Sequence, residues 1–441
     1  MSKQKKAEGG SVKQALDRLR THQTRLVPKT HESPFLAGLH PHFTSQRSQE
    51  ESFAAQDGQL IAPPPLKRSP SVMDLAEVIG QDQVDSIQNS GQIVFHTVGD
   101  TGFGRSEDLQ QVAQIMAMDY QRPNPADHPA FFLHLGDVIY NHQYRDPESK
   151  SRMYEPQFYS PYTEYPGKIL AIAGNHDSNP EEDPQSIDAF QDNFCAPPPQ
   201  SQQELTQLLH DPKRTPLYQP GVYYRLDAPY VQIISLFSNG GETEGVIRGG
   251  VVGDEQWKFL VAQLKAIKAG RDNGPRTALL IAVHHPPFSG GGHAGSGHML
   301  TDLDAAFKAA AIAPDAILSG HAHNYQRFTR ATTFNREAME IPFIVAGNGG
   351  HGIVPVKLTR NRQPIRPPIT TGDHTLRQYF NGFGHVLVTV TEKVLTIDLI
   401  GTHTNSDVPV DSVTVDLSSN QITDETEPFD HPAPGEQRSH V

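Results

Sequence analysis

Short apolar runs recur through the middle of the chain, each closed by glycine, proline or polar residues. They are QIVFHTV (92–98), AFFLHL (130–135), KILAIAG (168–174), VQIISLF (231–237), TALLIAV (277–283), DAILSG (315–320) and PFIVAG (342–347). Runs this short and this apolar suit buried strands. Between several of them apolar positions fall at helical spacing, over 106–119, 254–269 and 301–312. In the second, Trp257, Leu260, Val261 and Leu264 mark an inner face, and Asp254 is placed to cap the start. Alternating strands and helices predict a layered α/β domain. GHVLVTVT (384–391) and VLTIDLIG (394–401) read as a hairpin at a sheet edge. Two long connections, 141–166 and 178–221, break the rhythm, and Tyr140, Tyr144, Tyr154, Tyr159, Tyr162 and Tyr165 fall in or beside the first.

The ends of the chain read differently. Residues 11–27 place Val12, Ala15, Leu16, Leu19 and Leu26 on one helical face, a short helix for packing on the body or on a partner subunit. Residues 28 to about 90 are rich in Ser, Gln, Pro and His, as in an extended arm or linker. The expected organisation is an N-terminal arm or linker (1–90), partly disordered or packed on the body, one main domain (91–405) and a polar C-terminal tail (406–441).

Charge and composition narrow the function classes. Among 441 residues, 50 acidic and 37 basic side chains leave a net charge of −13, which argues against a nucleic-acid partner. The arm runs the other way, with nine Lys/Arg against four Asp/Glu in residues 1–50, and is read as a route to self-association. No apolar run approaches the roughly 18–20 residues that cross a bilayer, so no membrane span is expected. The opening MSKQKKAEGG leads into no apolar stretch of about 7–15 residues, so no export signal is read and the expected location is cytoplasmic. A single cysteine, Cys195, excludes an internal disulfide framework and any CxxC motif. The 22 histidines direct attention to metal and acid–base chemistry.

The residues just past the apolar runs carry that chemistry. Gly99-Asp100-Thr101-Gly102, Gly136-Asp137-Val138-Ile139-Tyr140, Gly174-Asn175-His176-Asp177, His284-His285-Pro286 and Gly320-His321-Ala322-His323 each stand just beyond a strand. Ligands bind at the carboxyl ends of strands in open α/β sheets. Alone, a Gly-Asp after a strand is an ordinary turn. Together the five segments offer carboxylates, imidazoles, an amide and a phenol without a thiolate, a set suited to Fe, Mn or Zn. They also exceed the donors that one ion needs, which favours two ions sharing a carboxylate.

The ordered set GDxG, GDxxY, GNHD, a histidine pair after an apolar strand, and GHxH resembles the calcineurin-like metallophosphoesterase superfamily. The tyrosine three residues after the second aspartate and the run GHAHNYQR (320–327) resemble its purple acid phosphatase branch. The resemblance implies a four-layer αββα sandwich, here with an irregular N-terminal arm. It implies that Asp100, Asp137, Tyr140 and His323 hold Fe(III). Asp137 would bridge to a second ion (Zn, Mn or Fe(II)) completed by Asn175, His284 and His321. His176 becomes an outer contact to phosphate, and His293 matches a histidine on the substrate side. His285 and His298 receive no role.

The reaction so implied is hydrolysis of phosphate monoesters by a metal-activated water or hydroxide at a dinuclear centre, with His176 or His293 supplying the leaving group's proton. The substrate is then a small phosphate ester. A phosphodiesterase on the same centre and a non-catalytic interaction module stay open as alternatives. For Tyr140 a place in the core stays open, and for His293 an exposed place in a glycine-rich loop.

Overall fold

The computed structural model describes residues 60–102, 107–140, 153–178, 186–197, 217–238, 244–356, 365–403 and 408–428. In chain order, β1 (Val72–Asp74) leads into α1 (Leu75–Ile79) and α2 (Gln81–Ser90). Next come β2 (Gln92–Val98), α3 (Glu107–Met118), β3 (Phe131–His134), β4 (Lys168–Ala171), α4 (Ser186–Phe194), β5 (Tyr224–Ala228) and β6 (Val231–Ser235). They are followed by α5 (Glu255–Asn273), β7 (Ala278–Ala282), α6 (Gly297–Ala310), β8 (Ala316–Ser319), β9 (Tyr325–Phe334) and β10 (Glu337–Ala346). The last described strands are β11 (Ile369–Thr371), β12 (His374–Phe380), β13 (Gly384–Thr391), β14 (Val394–Gly401), β15 (Asp411–Asp416) and β16 (Gln421–Glu425).

These strands form two sheets, one ordered β1-β5-β6-β7-β8-β10-β9-β12-β11 and the other β16-β15-β14-β13-β2-β3-β4. β6, β7, β8 and β10 run parallel in the first, and β2, β3 and β4 run parallel in the second. The alternation of side chains across a strand explains how they stack. Ala278, Leu280 and Ala282 of β7 enter a core shared with Phe95, Leu133, Leu170 and Ile397 of the other sheet. Leu279 and Ile281 point the other way, onto Leu260 and Leu264 of α5 and Leu303 of α6. On the far side, Phe132, Ile169 and Ala171 pack against Leu109 and Val112 of α3 and Phe190 of α4. Both faces of each central strand are covered, which is why those strands read as unbroken apolar runs. The architecture is the four-layer αββα sandwich.

A buried ion pair joins the sheets. Arg327 of β9 donates to both carboxylate oxygens of Asp411 on β15, at 2.7 and 2.9 Å, and Tyr325 Oη donates to the same group at 2.8 Å. Arg327 also pairs with Glu425 of β16. Such a forked pair is strong and geometrically demanding. The tail of GHAHNYQR therefore holds the layers together rather than facing substrate.

The last part of the expected arm packs on the body: β1 pairs with β5, and Leu75, Val78 and Val84 are buried in the shared core. The tail expected from 406 contains β15 and β16. Consequently β13 and β14 form the expected hairpin but lie inside their sheet, not at its edge. α5 begins after Asp254 as expected, yet that carboxylate makes no cap hydrogen bond; it accepts from Arg248 Nε at 2.9 Å. Arg248 in turn lies over the Trp257 ring. The helix read at 11–27, and with it self-association through the arm, falls outside the described residues, as does Tyr144. Among the described residues no helix is long and apolar enough to cross a membrane.

Candidate metal centre

The loops leaving β2, β3, β4, β7 and β8 converge at the carboxyl edges of both parallel strand sets. Asp100 follows Gly99 with φ 58°, Asp137 follows Gly136 with φ 52°, and His321 follows Gly320 with φ 66°. L-residues enter this left-handed region at a cost of about 1–3 kcal/mol, and such strain persists where the surroundings fix it, commonly at functional sites. Hydrogen bonds supply that fixing. Asp100 Oδ2 accepts the His321 amide at 2.8 Å, and Asp137 Oδ1 accepts the His176 amide at 2.9 Å. The close approach also explains Gly174: a Cβ there would overlap the Asp137 carboxylate.

All seven residues expected to bind metal meet here. Asp137, His284 and His321 offer donor atoms within 4.8 Å of one another, and so do Asp100, Asp137 and His323. Asp137 belongs to both groups. Asn175 Oδ1 stands 3.0 Å from His284 Nε2 and 2.9 Å from His321 Nδ1. Tyr140 Oη is 3.3 Å from Asp100 Oδ1 and 3.2 Å from His323 Nε2. Tyr140 is thus at the site and not lost in the core.

The arrangement fits cations better than it fits itself. His284 Nδ1 faces the Leu135 carbonyl at 2.8 Å, a partner that can only accept, so Nδ1 carries a proton and Nε2 is the nitrogen turned toward Asn175 Oδ1 and Asp137, where a cation would take the place of its proton. Asp137 Oδ2 and His321 Nε2 are buried with no hydrogen-bond partner among the described residues. Buried polar atoms are seldom left so.

Without a cation the electrostatics leave two of these donors, Asp100 and His284, holding protons that a bound cation would displace. Burial raises the Asp100 carboxyl to about 8, with His284 opposing and Asp137 adding to the rise. Burial also works against Asp137, but His284 and His176 outweigh it and hold Asp137 well below the usual carboxylate range. Burial would lower His284, yet the Asp137 and Asp100 carboxylates lift it to about 9. Burial and the surrounding imidazoles push His321 far down and His323 to about 3, so both present lone pairs, the form that binds metal. Burial, then the Asp137 and Asp100 charges, raise the Tyr140 phenol well above 10. A cation at its oxygen would reverse that order.

The two expected proton donors also flank the site. The His176 ring lies 4.4 Å from that of Tyr140. The His293 ring lies 4.4 Å from His321 and 5.3 Å from His323. Its loop is pinned, not loose. Gln326 accepts the Gly290 amide at 2.6 Å and donates to the Gly291 carbonyl at 2.9 Å, while Ser289 Oγ donates to the His293 carbonyl at 2.6 Å. Of the unassigned histidines, His285 bonds Ser238 Oγ at 2.8 Å with its ring 4.3 Å from His321, and His298 sits on α6.

Three supporting residues, of which Asp177 was named only as part of GNHD, received no role from the sequence. Asp177 accepts the Val138, Ile139 and Gly174 amides, tying the Asp137 loop to the Asn175 loop. His134 accepts the Gly136 amide and donates to Thr101 Oγ1 at 2.7 Å, beneath both aspartates. His351 stacks on Tyr140 with ring centres 3.3 Å apart and planes 3° apart, its Nδ1 2.9 Å from the Gly102 carbonyl. Its position in GNGGH, just beyond β10, repeats the strand-then-glycine pattern that marked the others.

Comparison with known proteins bears on what this edge does. No curated protein matches the chain. Among solved structures, GAP50, titled the anchor in the inner membrane complex of Plasmodium, is 12% identical, with a TM-score of 0.47 over 78% of this chain and 90% of that one. A structure of PhoD is also 12% identical, with a TM-score of 0.46 over 78% of this chain and 73% of that one. The calcineurin-like phosphoesterase family model matches residues 93–325, more than half of the chain, from β2 to the start of β9. That span contains every residue of the two donor groups. The chain belongs to the calcineurin-like phosphoesterase family, whose members are metal-dependent phosphoester hydrolases.

Proposed function

We propose that this chain hydrolyses small phosphate monoesters at a dinuclear centre of the purple acid phosphatase kind. The observation that carries the reading is the membership of Asp137 in both donor groups, as a carboxylate shared by two ions requires. In this reading Asp100, Asp137, Tyr140 and His323 hold Fe(III), and Asp137, Asn175, His284 and His321 hold Zn, Mn or Fe(II). Bound there, two cations would neutralise the ester's charge and bring the pKa of water in the pocket toward neutrality.

The remaining work falls to the chain. The His176 amide on Asp137 Oδ1 keeps that carboxylate oriented, and Asp177 fixes the loop on either side. The His176 and His293 rings border the donor cluster from two loops, where one imidazole can hold a phosphate oxygen while the other delivers a proton to the departing alkoxide. His351 covers one face of Tyr140 and keeps the phenol aimed at Asp100 and His323.

The test is kcat/KM for an aryl phosphate monoester and the matching diester, side by side, from pH 4 to 9. A clear monoester preference is expected; a diester preference would replace this reading with the phosphodiesterase. Tyr140 provides a second check. Iron-loaded protein is expected to show a visible phenolate-to-iron band that Tyr140→Phe abolishes, and a colourless iron-loaded protein would remove the Tyr140 assignment.

A further inference from the structure

A second group of metal-type donors lies on the opposite face of the β2 sheet from the shared core. On β2, Ile93 and Phe95 enter the shared core, so His96 points outward; on β13, Val386 and Val388 do likewise and His385 points outward. The two strands are antiparallel neighbours, with His96 opposite Leu387. Asp119, just past α3, completes the group. Its Oδ2 stands 2.9 Å from His96 Nε2 and 3.0 Å from His385 Nε2, and all three donor atoms lie within 4.8 Å of one another. Both histidines are fully buried and Asp119 is 4% exposed.

Two of the three atoms that do not converge are held from behind, while His385 Nδ1 is buried with no hydrogen-bond partner among the described residues. Tyr165 Oη meets His96 Nδ1 at 3.0 Å, and Arg122 donates to Asp119 Oδ1 from Nε and Nη2 at 2.9 and 2.8 Å. Metal ligands are characteristically oriented this way, through the ring nitrogen or carboxylate oxygen that does not bind. The surroundings make a purely structural role expensive. Val94, Leu387 and Ile400 line the same face, and a buried polar cluster in such a layer can commonly be replaced by apolar side chains without loss of stability.

We infer that His96, Asp119 and His385 form a further site for one divalent transition-metal ion, separate from the phosphoesterase centre. Two imidazoles and one carboxylate without thiolate suit Zn(II), Fe(II) or Mn(II) rather than Ca(II), Mg(II) or Cu(I). His96 precedes Asp100 by four residues of chain, about 13 Å in extended backbone, so this ion would not be shared with the centre at the strand ends. Arg122, 31% exposed, marks the side from which solvent can complete the coordination. The inference does not depend on the proposed phosphatase reading.

Metal content decides it. Zinc-saturated, desalted protein is compared with His385→Gln and, separately, with Asp137→Ala, by elemental analysis per folded chain. His385→Gln is expected to hold one equivalent fewer than the parent while turning over phosphate ester within about twofold of it. Asp137→Ala, which leaves this cluster intact, is expected to retain one equivalent, as is Asp137→Ala/His284→Ala, with X-ray absorption of the zinc in the latter showing two imidazole ligands. Asp137→Ala also gives the answer should His385→Gln not fold. If Asp137→Ala protein binds no zinc, or folded His385→Gln binds as much as the parent, the cluster is a hydrogen-bonded network only.

Discussion

Asp137→Ala is expected to empty the phosphoesterase centre and to lower kcat/KM by more than about 10²-fold. That size rests on a comparison: loss of a residue that only orients a ligand costs roughly 10–100-fold in metal affinity or activity, and Asp137 contributes to both donor groups. Its Oδ1 also receives the His176 amide, so truncation frees that loop as well. The cleanest form of the experiment uses the His385→Gln background, in which the outlying cluster no longer contributes an ion. There the double variant is expected to contain no bound metal. Retention of an ion at the strand-end centre would argue against the bridging role. Because Asp137 is itself in the strained left-handed region, Asp137→Gly separates the loss of the carboxylate from any change in backbone.

His176→Ala is expected to separate chemistry from metal binding. Positioned acid–base groups typically contribute about 10²–10⁴-fold, and kcat is expected to fall by that order while metal content stays at the parent level. The reason is geometric. The main-chain amide of His176 donates to Asp137, and alanine keeps that amide. The imidazole lies against the Tyr140 ring, outside both donor groups. Equal losses of activity and metal would instead make His176 a ligand or a structural support.

Much of this was legible in the chain because the site is built from strand ends. A buried parallel strand announces itself as an apolar run, and the residues just beyond it can be read directly. Thus Asp100, Asp137, Asn175, His284, His321 and His323 could be named as candidates without the fold, and the structure brings them together, while β2, β13 and β14 match their expected limits. The weaker readings have physical causes. β1, β15 and β16 are short, lie toward sheet edges and carry polar residues on one face, so composition hid Met73, Val413 and Val415 in the core. β9 and β10 extend past the core into solvent, and their exposed halves, such as Glu337 and Ala338, carry no apolar signal. His96, Asp119 and His385 come from three distant segments, and only the pairing of β2 with β13 brings two of them together. The pinning of His293 by Gln326 is likewise a contact between loops, invisible along the sequence.

The most direct test of the account is hydrolysis of an aryl phosphate monoester by chelator-stripped protein as metal is returned in measured equivalents. The stripped protein is expected to show no turnover, and activity is expected to recover only when both donor groups around Asp137 can be filled. Turnover that survives metal removal, or that returns fully with one equivalent per chain, would contradict it.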